Sequence, residues 1–354
     1  MLDRLWAFYL ESPGLSLLIL GNVVFVAGAF GLAAAALLLR IRNDRKAAHW
    51  GSLERRWEAK TVEVVTEIDR PEALWALVDK ADALRFLNFL LRFARRLTGA
   101  ERKRVDELAA PYLDQILPQL RARSAERRAR AIQTLTTLGS RRYATQVLAS
   151  LDDPSPLVAM VAARSLARRE SPDFAEPILR RLERFQHWRP SFLASMLASI
   201  GPAVAPALRA ALVDPRYAPR VRSVAADALR ELNDYLSADA AAQVLGEATD
   251  RDLLIAALGL IAHVGRADQV EVVRHHAEAA EPIVRSRAMS ALGRIGSAAD
   301  ADRLIQAFDD PSPWVALRAA EALYEARNPA LATIASSDHP RAPLARQILA
   351  GGSA

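Results

Sequence analysis

The densest set of chemically capable side chains is His275, His276 and Glu278. Two imidazoles and a carboxylate are the residue types that hold iron or zinc. Three ligands within one helical turn cannot surround an ion without help from elsewhere, and His49, His187, His263 and His339 are scattered. The chain has no cysteine, which excludes disulfides, thiolate metal sites and thiol nucleophiles. No phosphate-binding glycine loop, dinucleotide fingerprint, G-x-S-x-G elbow or H-E-x-x-H pair is present. The expectation is a chain with no catalytic residue, no cofactor and no metal site. An iron-dependent enzyme built on His275 and His276 is the alternative.

Charge offers a second kind of chemistry. Of 47 basic residues only Lys46, Lys60, Lys80 and Lys103 are lysine, and the rest are arginine. The basic excess lies in residues 1–142, with 24 basic and 16 acidic side chains; residues 143–354 hold 23 and 25. The local maximum is Arg121, Arg123, Arg127, Arg128, Arg130, Arg141 and Arg142. Such a run suits phosphates, but Tyr143 is its single interleaved aromatic, so nucleic acid is not the expected partner. An acidic protein or an anionic lipid surface fits better. Arg127, Arg128, Arg141 and Arg142, with Trp188 and Trp314 in inter-helix joints, are the candidate partner-binding residues.

These side chains need elements to carry them. Residues 14–39, "GLSLLILGNVVFVAGAFGLAAAALLL", contain no charge. A bilayer needs about 20 apolar residues, so a transmembrane helix is expected. The run is too long, and its flank too acidic, for a cleaved signal peptide. Residues 1–13 form a short outer segment in which Trp6, Phe8 and Tyr9 suit an aromatic belt. Arg40, Arg42, Arg45 and Lys46 follow the span, and positive flanks stay cytoplasmic. This places the amino terminus outside a bacterial inner membrane and the remainder in the cytoplasm. Gly21, Gly28, Gly31 and Ala35 offer small-residue packing against a partner helix, and Asn22 a polar contact. Residues 40–70 read as a basic juxtamembrane segment, with Arg40, Arg42, Arg45, Lys46, Trp50 and Trp57 as a membrane-surface anchor. "TVEVVTEI", Thr61 to Ile68, reads locally as strand. "LRFLNFLLRFARRL", Leu84 to Leu97, is an amphipathic basic helix, either interfacial or the first helix of a soluble domain. Residues 71–123 are expected to form a helical cap on residues 124–350.

From residue 124 to 350 the chain repeats itself. A leucine-type position recurs at Leu135, Leu166, Leu197, Leu229, Ile261, Leu292 and Leu323, always 31 or 32 residues apart. Four residues earlier stand Ala131, Ala162, Leu193, Ala225, Ala257, Ala288 and Ala319, which share the helix face. Gly139, Gly201, Asn233, Gly265 and Gly296 come four residues later as helix stops, expected to need positive φ. A second apolar-periodic helix comes next, as in "DAAAQVLGEA" and "DADRLIQAF". Asp-Pro then opens another unit, the aspartate serving as cap. "DDPSP" occurs twice, at 152–156 and 309–313, five repeats apart. The pattern predicts about seven helical hairpins.

"DDPSPLVAMVAARSLA", "VRSRAMSALGRIG" and "DDPSPWVALRAAEAL" resemble HEAT repeats of the short bacterial type known from phycobilin lyases. The resemblance implies an all-α chain whose repeats form a right-handed α-solenoid binding partners along an extended surface. Two enzymes share the repeat. Bilin lyases are disfavoured by the apolar span and the lack of cysteine; deoxyhypusine hydroxylase uses His-Glu pairs, and no histidine here is followed by glutamate. The expected role is a non-catalytic adaptor whose span packs beside an integral membrane protein, such as a polysaccharide synthase or transporter. A membrane-tethered nucleic-acid binder is a further alternative.

Overall fold

A computed structural model describes residues 13–168 and 171–351, and its regular elements are all helical. The expected aromatic belt before Pro13 lies outside the described residues. Two compact units divide between Ala109 and Ala110.

The amino-terminal unit is dominated by α1, Pro13–Val65, a single helix of 53 residues and roughly 80 Å. It continues without a break through the predicted span and most of the predicted juxtamembrane segment, ending at Val65. Thr61–Val65, which looked strand-like, is its last turn. β-branched residues are tolerated there because Thr61, Val64 and Val65 are buried, and packing outweighs their weak helix preference. Glu67, at φ 65°, reverses the chain. Helices α2 (Pro71–Trp75), α3 (Ala83–Ala94) and α4 (Gly99–Ala109) then fold back on the end of α1. Phe86, Leu87, Phe89 and Leu90 of α3 are buried, while Arg85, Arg92 and Arg95 stay exposed. Of the two roles open to this amphipathic helix, it takes that of a core helix.

The second unit starts with a 3₁₀ stretch, Ala110–Arg121, and continues as helix pairs. Seven first helices are seen among the described residues. These are α5 (Ala125–Leu138), α7 (Pro156–Ala167), α9 (Pro190–Ala198), α11 (Pro219–Glu231), α13 (Arg251–Val264), α15 (Pro282–Ile295) and α17 (Pro313–Glu325). The second helices are shorter: α6 (Ala144–Ala149), α8 (Ala175–Leu179), α10 (Ala205–Val213), α12 (Ala238–Glu247), α14 (Val270–His276), α16 (Ala301–Gln306) and α18 (Ala330–Ala335). Helix α19, Ala342–Gly351, closes the stack. All seven leucine-type positions, and the seven positions four residues before them, are buried. Each leucine removed from water contributes about 2 kcal/mol. First helices pack on first helices more closely than second on second. At the α15–α17 crossing a Cβ on Gly293 would lie 2.4 Å from Ala322 Cβ.

The helix stops work in two ways. Gly201 (φ 96°, ψ 176°) and Asn233 (φ 54°) take the expected positive φ, Gly201 in a region that essentially only glycine occupies. Gly139, Gly265 and Gly296 do not, at φ −100°, −66° and −67°. These three are glycine for lack of space. A Cβ would sit 2.5, 2.4 and 2.3 Å from the carbonyl oxygens of Leu135, Ile261 and Leu292.

Candidate partner-binding surface

The two "DDPSP" segments are the best-determined polar feature. Asp153 does not cap α7: the N-cap is Ser155, and no side chain caps the helix. Asp153 Oδ1 instead accepts the Ser155 N–H at 2.8 Å, and the carboxylate takes both arms of Arg128 at 2.7 and 2.9 Å. The third arm of Arg128 donates to the carbonyls of Ala122 (2.8 Å) and Arg123 (3.2 Å). The other copy repeats the pattern. Asp310 accepts Ser312 N–H at 2.8 Å and Arg285 at 2.7 and 3.0 Å, and Arg285 also reaches Ala279 and Ala280. From the next repeat, Arg184 and Arg341 donate to the carbonyls of Asp153 and Asp310. The motif is therefore a rivet through three successive repeats. Arg285, with Ser312 N–H, holds the Asp310 carboxyl below its ordinary value against the opposing effect of burial.

This removes Arg128 from the candidate binding residues, since its guanidinium is enclosed and fully engaged. Arg142 reaches Asp114 at 3.1 Å and lies over the Tyr143 ring. Arg130 pairs with Glu126 at 2.7 Å. Arg128 is thus spent inside the repeats and Arg130 and Arg142 pair at the surface, while Arg121, Arg123 and Arg127 are exposed. The side chain of Arg141 lies outside the described residues. Trp188 is half-buried, its ring edge-on to Phe185 at 5.9 Å, and its carbonyl accepts from Arg220. Trp314 is different. It is 65% exposed at the second position of α17, and its counterpart Leu157 is 56% exposed.

The membrane-side candidates also separate. Arg40, Arg42 and Arg45 are exposed on α1, and the side chain of Lys46 is outside the described residues. Trp57 is not a headgroup anchor. It is fully buried, with Phe86 at 5.3 Å and Phe89 at 6.0 Å, and its indole N–H donates to the Leu77 carbonyl at 3.3 Å. Trp50 lies beneath the Arg85 guanidinium at 3.8 Å. Lys60 is held by Asp69 and Glu63, whose hydrogen bonds push its pKa up. A Cβ at Gly21, Gly28 or Gly31 would meet nothing within 4 Å, and Asn22 and Ala35 are likewise exposed.

His275, His276 and Glu278 do not converge. His276 is buried, and its Nε2 is 2.9 Å from the Leu245 carbonyl, which needs a donor; that nitrogen therefore carries the proton. Glu278 points to Arg303 at 2.8 Å. Among the described residues no three His, Asp or Glu side chains group at metal-ligand spacing, so this set does not fit the iron that the alternative reading needs.

The exposed face of the first helices carries polar groups that no local motif announces. Arg164 lies over Phe192 at 5.6 Å. Arg230 pairs with Asp227 (3.0 Å), Arg294 with Glu325 (2.9 Å) and Arg318 with Glu321 (2.6 Å). These arginines lie on four different first helices, so a search for charge runs passes over them.

The family model for HEAT repeats matches residues 113–189 and 238–324. The fold is a HEAT-repeat solenoid. No curated protein matches the chain. Among solved structures, Kap121p bound to RanGTP is similar at 14% identity and TM-score 0.47, covering 79% of this chain and 36% of that one. Kap121p bound to Pho4p is similar at 15% identity and TM-score 0.45, covering 74% and 36%. Human deoxyhypusine hydroxylase in complex with glycerol matches at 18% identity and TM-score 0.32, covering 78% and 97%. The chain spans about a third of the length of Kap121p.

Proposed function

We propose that the chain is a membrane-anchored, non-catalytic adaptor that holds a protein partner on its HEAT-repeat solenoid. The observation that carries the membrane half is α1. One window of it has mean hydropathy 2.2 and is 0% buried. Leu17, Phe25, Phe30 and Leu32 are each more than 70% exposed, whereas most large apolar residues beyond residue 70 are buried and exposed ones such as Leu236 and Trp314 form no continuous run. Water does not tolerate such a continuous apolar cylinder. Residues 14–39 rise roughly 40 Å, enough to cross a hydrocarbon core of about 30 Å with tilt. Exposed Arg40, Arg42 and Arg45 favour a cytoplasmic solenoid.

The open Gly21–Gly28 stripe, with Gly31 and Ala35, suits packing against a helix of another membrane protein. An accessory subunit of an inner-membrane complex, such as a polysaccharide synthase or transporter, fits this layout. The full chain is expected to sediment with membranes, resist carbonate extraction and dissolve in detergent. Deletion of residues 14–39 should release a folded soluble protein. Full-length chain in the carbonate supernatant would sink the anchor. Co-purification in mild detergent should recover an integral membrane protein whose yield falls with Gly28→Leu.

A further inference from the structure

The exposed face of the first helices is notched where α11, α13, α15 and α17 meet. The notch holds about 240 Å³, below the range of pockets that enclose small molecules. It is sized for a side chain projecting from a docked macromolecule. It is lined by Arg230, Arg287, Arg294 and Arg318, with Gly259 and Ser290 among the small residues between them. Gly259 is not glycine for lack of space: a Cβ there would meet only Arg230 Nη1, at 3.8 Å. It differs in this from Gly293, which close packing requires.

Arg230, Arg294 and Arg318 each hold an acid, namely Asp227, Glu325 and Glu321. Arg287 holds none. It is half-buried and, among the described residues, makes no hydrogen bond or ion pair. Burial, Arg318 and Arg230 all disfavour its charge, with Asp227 offsetting part of this. A desolvated guanidinium between like charges is destabilising by itself. Such an arrangement is understandable where an incoming anion completes it. The surplus over the three paired acids is a single positive charge. A carboxylate matches it, whereas a phosphate dianion would leave excess negative charge beside Asp227 and Glu321.

We propose that this notch is the solenoid's specificity pocket and seats one aspartate or glutamate side chain of the protein partner, with Arg287 as its bidentate ligand. The proposal rests on the adaptor reading. Its test pans a random dodecapeptide phage library on the full chain in nanodiscs, then titrates recovered peptides made synthetically. Recovered peptides should share an acidic residue. Its replacement by Gln or Asn should weaken binding roughly 30-fold or more, as for one partner of a desolvated charge pair. Arg287→Met should cause the same loss while melting no lower than wild type, because it removes an unpaired charge. A purely structural arginine would lower the melting temperature instead. Gly259→Leu should block binding with Arg287 intact. Peptides that bind but ignore Arg287→Met would overturn the pocket and leave the adaptor standing. A library yielding no binder to the solenoid would count against the adaptor itself. Inorganic phosphate binding at Arg287 more tightly than the acidic peptide would overturn the carboxylate assignment.

Discussion

Asp310 and Arg285 show how a side chain can be structural in a place that looks functional. Their bidentate contact is mostly enclosed, Arg285 being 17% and Asp310 12% exposed, and every remaining arm is taken by backbone carbonyls or Ser312 N–H. Removing one member of such a pair leaves the other buried without a partner. Asp310→Ala should therefore destabilise the solenoid by about 3 kcal/mol, and Asp153→Ala by a similar amount, read by urea denaturation followed by circular dichroism. Joint replacement by apolar residues, Arg285→Met with Asp310→Leu, should cost much less. A third acid, Asp300, adds a pH dependence. Arg274 grips it at 2.6 and 2.9 Å, outweighing burial, and lowers its pKa from 3.8 to about 2. A depressed carboxyl pKa stabilises the fold above its unfolded value, and that contribution is lost as pH falls through the folded one. The expected window is pH 4 to 2, and Asp300→Asn should flatten the stability profile there. The sequence showed "DDPSP" as punctuation but not as a rivet, because Arg128 and Arg285 lie 25 residues before their acids.

At the scale of elements, the repeat's buried face was readable because leucine and alanine recur with the helix period. What sequence spacing could not distinguish was why glycine ends the helix. Gly201 answers to backbone conformation, and Gly296 to the Leu292 carbonyl 2.3 Å from any added Cβ. Both therefore resist substitution, one through backbone strain and the other through a clash. Gly201→Asn should cost about 1–3 kcal/mol in backbone strain, since φ 96° with ψ 176° lies outside the left-handed well that asparagine tolerates; it meets no clash, as a Cβ there would find nothing within 4 Å. Gly296→Ala should lower stability by more than 1 kcal/mol, because the last turn of α15 must open. Thermal melts of the two variants check this. The end of α1 was misread for a related reason. Trp57 sits in a basic, aromatic stretch that composition assigns to a membrane surface, yet tertiary packing claims it for the Phe86–Phe89 cluster. Trp57→Ala is expected to cost about 4 kcal/mol. Intrinsic fluorescence and proteolysis should then show the amino-terminal unit loosened while the repeats stay intact.

Over the whole molecule, a chain of near-identical hairpins gives stability a one-dimensional character. Each repeat touches chiefly its neighbours, so the array's cooperativity depends on interfaces between repeats as much as on each repeat's own core. Arg285–Asp310 and the α15–α17 contact at Gly293 are such interfaces. Ile261, fully buried in α13, lies centrally, whereas Leu135, also fully buried, lies in the first hairpin. Truncation to alanine removes the same kind of apolar volume at either position, at about 3 kcal/mol. The consequences differ by place. Leu135→Ala should fray one end and leave a single main transition. Ile261→Ala should weaken the coupling between the two halves and split unfolding into two transitions. Hydrogen exchange should then show amides of α5–α11 and of α15–α17 protected to different extents. If the two variants unfold alike, as single blocks, the repeats behave as one globular domain. The notch around Arg287 would in that case be held rigid by the entire repeat array, not by its four adjoining hairpins.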